Sequence, residues 1–217
     1  MKVEKVATYP ISCRLKKPFA SATGWRKSRD TVLVEVVTDE GLSGWGEAHG
    51  PLKAVCRAIE DELAPMVIGA DPLDVAVLWD KMQIRRLKGA PPGAVSGIDM
   101  ALWDLKGRIL GTPVYRLIGG RFHRRLQPYA TALFYREDHS ESVAALEEEA
   151  RSLLESGFRA IKMKVGFGLE RDIDRVARLR EVAGPEFCIM ADANESYDFT
   201  SALRLGLKLR DLGVQWF

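Results

Sequence analysis

The back of this chain alternates strand-like and helix-like segments on a short, regular period, and that alternation restricts its possible folds more than any other feature. An apolar run at residues 128–133 precedes a helical pattern at 141–155, stopped by Gly157. Residues 158–165 then read as a strand, 170–182 as a helix ended by Gly184, and 187–192 as the next strand. A helix at 200–212, stopped by Gly213, leads into the start of another strand at 214–217. The unit recurs at about 28 residues, close to the ~30 of one strand plus one crossover helix, so parallel βαβ units are predicted.

The front of the chain has a different rhythm. Residues 31–38 are rich in β-branched side chains, Asp39-Glu40-Gly41 makes a turn, and 42–48 return as the second arm of a hairpin. Residues 18–29, containing Ser21, Thr23 and Gly24, read as a mobile loop. Helical patterns cover 54–66 and 73–87. Ser96-Gly97-Ile98-Asp99 reads as a capping box opening a helix that runs to Leu110, with Gly111 as its stop. Residues 117–127, with Gly119-Gly120, read as a connector. The expected division is an α+β domain at 1–127 followed, at 128–217, by three βα units and the start of a fourth strand. A closed eight-stranded barrel takes ~250 residues, whereas about 90 follow the connector. The chain is therefore expected to be a fragment, a truncated product or one piece of a split enzyme, with an open parallel edge.

Charge and composition exclude several roles. A net charge of +2 from 32 basic and 30 acidic side chains argues against a dedicated nucleic-acid binder. The densest basic cluster, Arg121, Arg124 and Arg125 around His123, reads as a solvated turn. No run approaches the ~20 apolar residues that span a bilayer, and residues 1–13 lack a signal-peptide core. Cys13, Cys56 and Cys188 are odd in number and widely spaced, which suits reduced thiols. A cytoplasmic protein without membrane or nucleic-acid partners is expected.

Side chains two apart on a strand point to one face, so Lys162 and Lys164 share a face near the end of theirs, with Gly166 and Gly168 opening the following loop. Solvent-facing lysines on an edge strand are the ordinary alternative. A parallel strand covered by helices, however, has no exposed face to spare. Two lysines crowded at a barrel mouth repel each other, and a lysine so placed serves as a general base. On the next strand Asp192 and Asn194 share a face where a barrel presents its catalytic rim. A carboxylate and an amide are hard oxygen donors suited to magnesium or manganese. Asp-x-Asn is equally common as a helix cap or an Asx turn. Glu195 falls off that face. Gly166-Phe167-Gly168 fails as a dinucleotide loop because Arg171 stands at the third glycine position, and His49, His123 and His139 lack ligand spacing.

Taken together, the motifs are specific. Ala160-Ile161-Lys162-Met163-Lys164-Val165-Gly166, Asp192-Ala193-Asn194 and Trp216-Phe217 resemble the mandelate racemase/muconate lactonizing branch of the enolase superfamily. Gly44-Trp45-Gly46-Glu47-Ala48 and the run from Ser96 through Trp103-Asp104-Leu105-Lys106-Gly107 are similar to that family's N-terminal domain, and Gly119-Gly120 leads into the first barrel strand as it does there. The resemblance spans essentially the whole chain. It implies an α+β capping domain followed by the first part of a modified TIM-type (β/α)7β barrel. The chemistry it implies is removal of the α-proton of a carboxylate substrate, with magnesium (manganese as the alternative) stabilising the enolate. Residue by residue, Lys164 would be the base, Lys162 its electrostatic partner, Asp192 a metal ligand and Asn194 a polar contact. Residues 19–29 and 47–51 would close over the substrate, making Ser21, Thr23, Trp25, Arg26 and His49 candidate substrate contacts, with ordinary loop polarity as the alternative. Further ligands, expected just after Phe217 and one strand later, and the opposing acid/base fall outside the chain, so these residues alone are expected to be inactive.

The reading that follows is a lyase or isomerase, an acid-sugar dehydratase or a racemase/epimerase, acting on a hydroxy-carboxylate and homo-oligomeric at full length. Two alternatives stand beside it. One is a Schiff-base aldolase of another α/β barrel with Lys164 as nucleophile. The other is a non-catalytic, partner-binding remnant.

Overall fold

The computed structural model describes residues 1–135 and 142–217. Glu141, the expected start of one helix, and His139 lie outside the described residues. The chain divides into two compact units, Met1–Arg14 with Ser28–Arg124, and Leu15–Lys27 with Arg125–Phe217.

A three-stranded sheet is built from β1 (Val3–Ser21), β2 (Gly24–Thr38) and β3 (Ser43–Ala48), in that order, with residues 3–14 and 28–48 in the first unit. The period-2 pattern of β2 buries Val32, Val34, Val36 and Thr38 and leaves the residues between them half-exposed. β3 pairs antiparallel with β2, setting Val34 opposite Gly46 and Val36 opposite Gly44. Helical chain follows: α1 (Leu52–Arg57), a π-helical stretch (Ala58–Leu63), α2 (Ala64–Val67), α3 (Val75–Leu87), α4 (Pro92–Ile109) and the short α5 (Val114–Leu117). α4 buries Ala94, Ile98, Ala101, Leu102 and Leu105, one apolar stripe at helical spacing. That stripe meets β3 at backbone distance. A Cβ on Gly46 would collide with the Gly97 carbonyl, and one on Gly97 would sit 2.7 Å from the Ala48 Cβ. Asp104 on α4 accepts the Trp45 N–H at 2.9 Å and pairs with Arg108, while Lys106 donates to the Leu73 carbonyl.

Two local expectations are corrected here. The capping box at Ser96–Asp99 does not open a helix, because α4 begins one turn earlier at Pro92. A proline at the first helical position has its φ already set and lacks only an N–H that would be unbonded anyway, so no side-chain cap is needed. Residues 18–29, expected as a mobile loop, are mostly strand: β1 runs to Ser21 and β2 resumes at Gly24 after a two-residue turn. Tertiary pairing overrides the turn-like composition. Ala20 and Tyr135 exchange backbone hydrogen bonds at 2.7 and 3.2 Å, and Phe19 packs on Phe134 with ring centroids 4.4 Å apart.

In the second unit β4 (Ala130–Ala132), β5 (Ala160–Lys164) and β6 (Cys188–Asp192) form a parallel sheet in that order. The crossovers are α6 (Val143–Glu155), capped by the Ser142 hydroxyl, and α7 (Leu169–Ala183), and α8 (Phe199–Asp211), capped by Asp198, follows β6. Ile161, Met163, Ile189 and Ala191 pack with Val176, Leu179, Leu205 and Leu209 from the helices. Val214 bridges Ile189 in parallel and Trp216 accepts the Ala191 N–H, so the last residues run beside β6 as a further strand would. Arg180 staples the opposite end of this sheet. Its guanidinium donates to the carbonyls of Gly184, Pro185, Phe187, Leu212 and Gly213. Among the described residues no helix is long and apolar enough to cross a membrane.

Candidate active site

Parallel register brings the chemistry together. With Lys164 paired to Asp192, and Lys162 to Met190 one pleat earlier, both lysines and the carboxylate leave the same side of the sheet at the strands' C-terminal ends. Lys162 Nζ lies 2.9 Å and Lys164 Nζ 2.7 Å from the same oxygen, Asp192 Oδ2. Lys164 donates also to Asn194 Oδ1 at 2.7 Å, and the Asn194 N–H closes back on Asp192 Oδ1 at 3.0 Å. That last bond is an Asx turn, and it carries the chain out of the strand through left-handed backbone at Asn194 (φ 48°) and Glu195 (φ 62°). Glu195 is exposed.

The electrostatics differ from a bare lysine pair. Lys164 is buried, with 8% of its surface exposed, and Asp192 stands between the two ammonium groups as a shared counter-charge. Burial pushes the Asp192 carboxyl up, but hydrogen bonds from Lys164, Lys162 and the Asn194 N–H outweigh it, and the group is held down at about 2.

The hairpin turn reaches this rim through the second unit. Ser21 and Thr23 hydroxyls bond each other at 2.9 Å. Ala22 between them lies against Gly166, where an added Cβ would sit 2.7 Å from the Ala22 Cβ and would also strike Ser196 and the Ala193 carbonyl. The turn therefore touches the loops that follow β5 and β6. Trp25 and Arg26, just beyond it, are exposed. His49 belongs to the first unit, exposed after β3 with its carbonyl packed on Gly93 of α4.

Asp172 and Tyr197 went unnoticed in the sequence. Asp172 is fully buried, and its Oδ2 accepts the N–H groups of Gly166 and Phe167 and the Tyr197 hydroxyl. An aspartate near a helix start passes for an ordinary dipole-complementing surface residue. Its usable signal was spacing, since residues 172, 176 and 179 form the buried stripe of α7.

Asp192 has the hard-oxygen chemistry of a magnesium ligand, but both its oxygens are engaged by nitrogen donors. Among the described residues no three His, Cys, Asp or Glu side chains come together as a metal-holding group. The described residues supply one carboxylate, short of the several oxygen ligands a magnesium ion takes.

Several known proteins are similar to this chain. Residues 4–119 match the mandelate racemase/muconate lactonizing enzyme N-terminal domain, and residues 145–217 match the enolase C-terminal domain-like family. The chain is 38% identical, over its whole length, to D-galactarolactone cycloisomerase from Agrobacterium fabrum, of which it spans 58%. It is 36% identical over 87% of its length to arabinonate dehydratase from Saccharolobus solfataricus, of which it spans 51%. A solved racemase from Streptomyces coelicolor A3(2), described with bound magnesium, superimposes with a TM-score of 0.88 at 32% identity, over 99% of this chain and 61% of that one.

Proposed function

Because this chain belongs to the mandelate racemase/muconate lactonizing enzyme family of the enolase superfamily, we propose that it carries the base-bearing side of an active site that removes the α-proton of a hydroxy-carboxylate. The Schiff-base aldolase reading loses its premise, a different barrel, with that membership. One observation carries the proposal: Lys164, Lys162, Asp192 and Asn194 converge at the C-terminal ends of adjacent parallel strands, with Lys164 largely shielded from water.

Lys164 is proposed as the base that accepts the proton from the carbon next to the substrate carboxylate. The ammonium it becomes is received by Asp192 Oδ2 and Asn194 Oδ1, both 2.7 Å away. Lys162, 2.9 Å from the same carboxylate oxygen, is proposed as the electrostatic partner of that base. Given further ligands, Asp192 would help to hold a magnesium ion, which would supply positive charge against the developing oxyanion. Ser21 and Thr23, on the turn against Gly166, with Trp25 and Arg26 beyond, are proposed to contact the distal part of the substrate. His49 is carried as a candidate from the resemblance alone.

Two of the relatives are named for an acid sugar or its lactone, and such a compound is the proposed substrate here. Dehydration, epimerisation and cycloisomerisation share the first proton transfer and part afterwards. The test follows from that. The full-length protein is incubated in D2O with a panel of aldonates, aldarates and their lactones, with magnesium and with chelator, and NMR reads deuterium at the carbon next to the carboxylate of recovered substrate or epimer, or at the neighbouring carbon of the keto acid that dehydration leaves. Magnesium-dependent incorporation is expected, and Lys164→Met should lower it by about 10²–10⁴-fold, the usual contribution of a general base. Absence of incorporation across the panel, or incorporation indifferent to chelator, would overturn the reading.

A further inference from the structure

Asp172 is a fully buried acid that the proposed chemistry does not use. One of its oxygens takes three donors: the Gly166 N–H, the Phe167 N–H at 3.2 Å and the Tyr197 hydroxyl at 2.6 Å. Its other oxygen, Oδ1, is buried without a partner among the described residues. A half-satisfied buried carboxylate costs stability, and an apolar side chain would fill the stripe beside Val176 and Leu179 better. Core packing therefore does not account for it.

Its position along the chain does. Gly166 lies two residues beyond Lys164, and Gly166 and Gly168 sit at φ 106° and 122°, where the backbone has little conformational preference of its own. Tyr197 lies three residues beyond Asn194, in the loop after β6. Its hydroxyl donates to Asp172 and accepts the Gly168 N–H at 3.1 Å. Burial and the bond to Asp172 push that phenol well above its usual range, so it remains a donor across neutral pH. The loop that follows the base and the loop that follows the Asp192 strand are thus joined through one carboxylate and one phenol.

We propose that Asp172 and Tyr197 are positioning residues that hold the loops after β5 and β6 in register, so that Lys164 meets Asp192 and Asn194 together. The proposal rests on the assignment of Lys164 as the base. Lys164 bonds to acceptors on either side of the β6 terminus, and a shift of one loop against the other would break one bond while keeping the other. Displacement of a catalytic group by about 1 Å costs on the order of 10²-fold in rate.

The test uses the full-length protein and compares wild type, Tyr197→Phe and Asp172→Asn. Tyr197→Phe removes a single oxygen from a half-buried ring and keeps the question open to test if Asp172→Asn fails to fold. In folded Tyr197→Phe, kcat for α-proton exchange is expected to fall on the order of 10–10²-fold with KM little changed. Amide hydrogen exchange is expected to quicken together at residues 165–168 and 194–197, and not in α6. Unchanged kcat in the folded variant, or loosening of only one loop, overturns the proposal. A wild type that exchanges no α-proton marks failure of the base assignment, and the positioning role falls with it. An active wild type with unaffected variants overturns the positioning role alone.

Discussion

Replacing Asp192 by asparagine removes one charge from a three-charge cluster and leaves two ammonium groups facing each other. Both lysine nitrogens lie close to one oxygen, at 2.9 and 2.7 Å, so they stand no more than about 5.6 Å apart. At an effective dielectric near 20, two like charges at that distance repel by about 3 kcal/mol. Water relieves little of this, because the side chains of Lys162 and Lys164 are only 17% and 10% exposed. Asparagine keeps one acceptor oxygen for one of the lysines, which offsets part of the loss. Asp192→Asn is therefore expected to destabilise the fold by about 3 kcal/mol at pH 7, in the range found when one partner of a buried ion pair is removed. Urea unfolding followed by tryptophan fluorescence measures it, and a double-mutant cycle with Lys162→Met isolates the charge term. The double variant should recover most of the loss, since it has one ammonium and no like-charged neighbour. A single variant within about 1 kcal/mol of wild type, or a cycle with no coupling, would refute the account of Asp192 as shared counter-charge.

The same pair makes stability depend on acid. The Asp192 carboxyl is held at about 2 against its ordinary 3.8, so its contribution is present above about pH 4 and is lost as pH falls toward 2. That loss is about 2 kcal/mol and should be missing from the acid unfolding curve of Asp192→Asn. Arg180→Ala strips five carbonyls of a charged donor and is expected to cost about 2–4 kcal/mol, read as a lowered urea midpoint. Gly46→Ala forces β3 off α4, where the new methyl meets the Gly97 carbonyl, and should cost about 1–3 kcal/mol in thermal unfolding.

Local chemistry explains what was legible in advance. The buried alternation of Val32, Val34 and Val36, the glycine stops at Gly157, Gly184 and Gly213, and the strands ending in Lys164 and Asp192 depend on periodicity and on backbone preference. Both operate within a few residues, so a linear reading reaches them. Lys162 and Lys164 share a face for the same reason.

The alternating βα framework of the second unit, the hairpin of the first and the residue types at the ends of β5 and β6 follow from local pattern. How those residues meet follows from the closed fold. Parallel register set Lys164 opposite Asp192, 28 residues away, and gave a shared counter-charge to what looked like a repelling lysine pair. Long-range pairing of Ala20 with Tyr135 holds as strand a segment that Ser21, Thr23 and Gly24 made look like a loop. Burial turned Asp172, one acid among 30, into the anchor of two loops. Each is a contact between groups distant in sequence, whose energy exists only once the chain has closed around them.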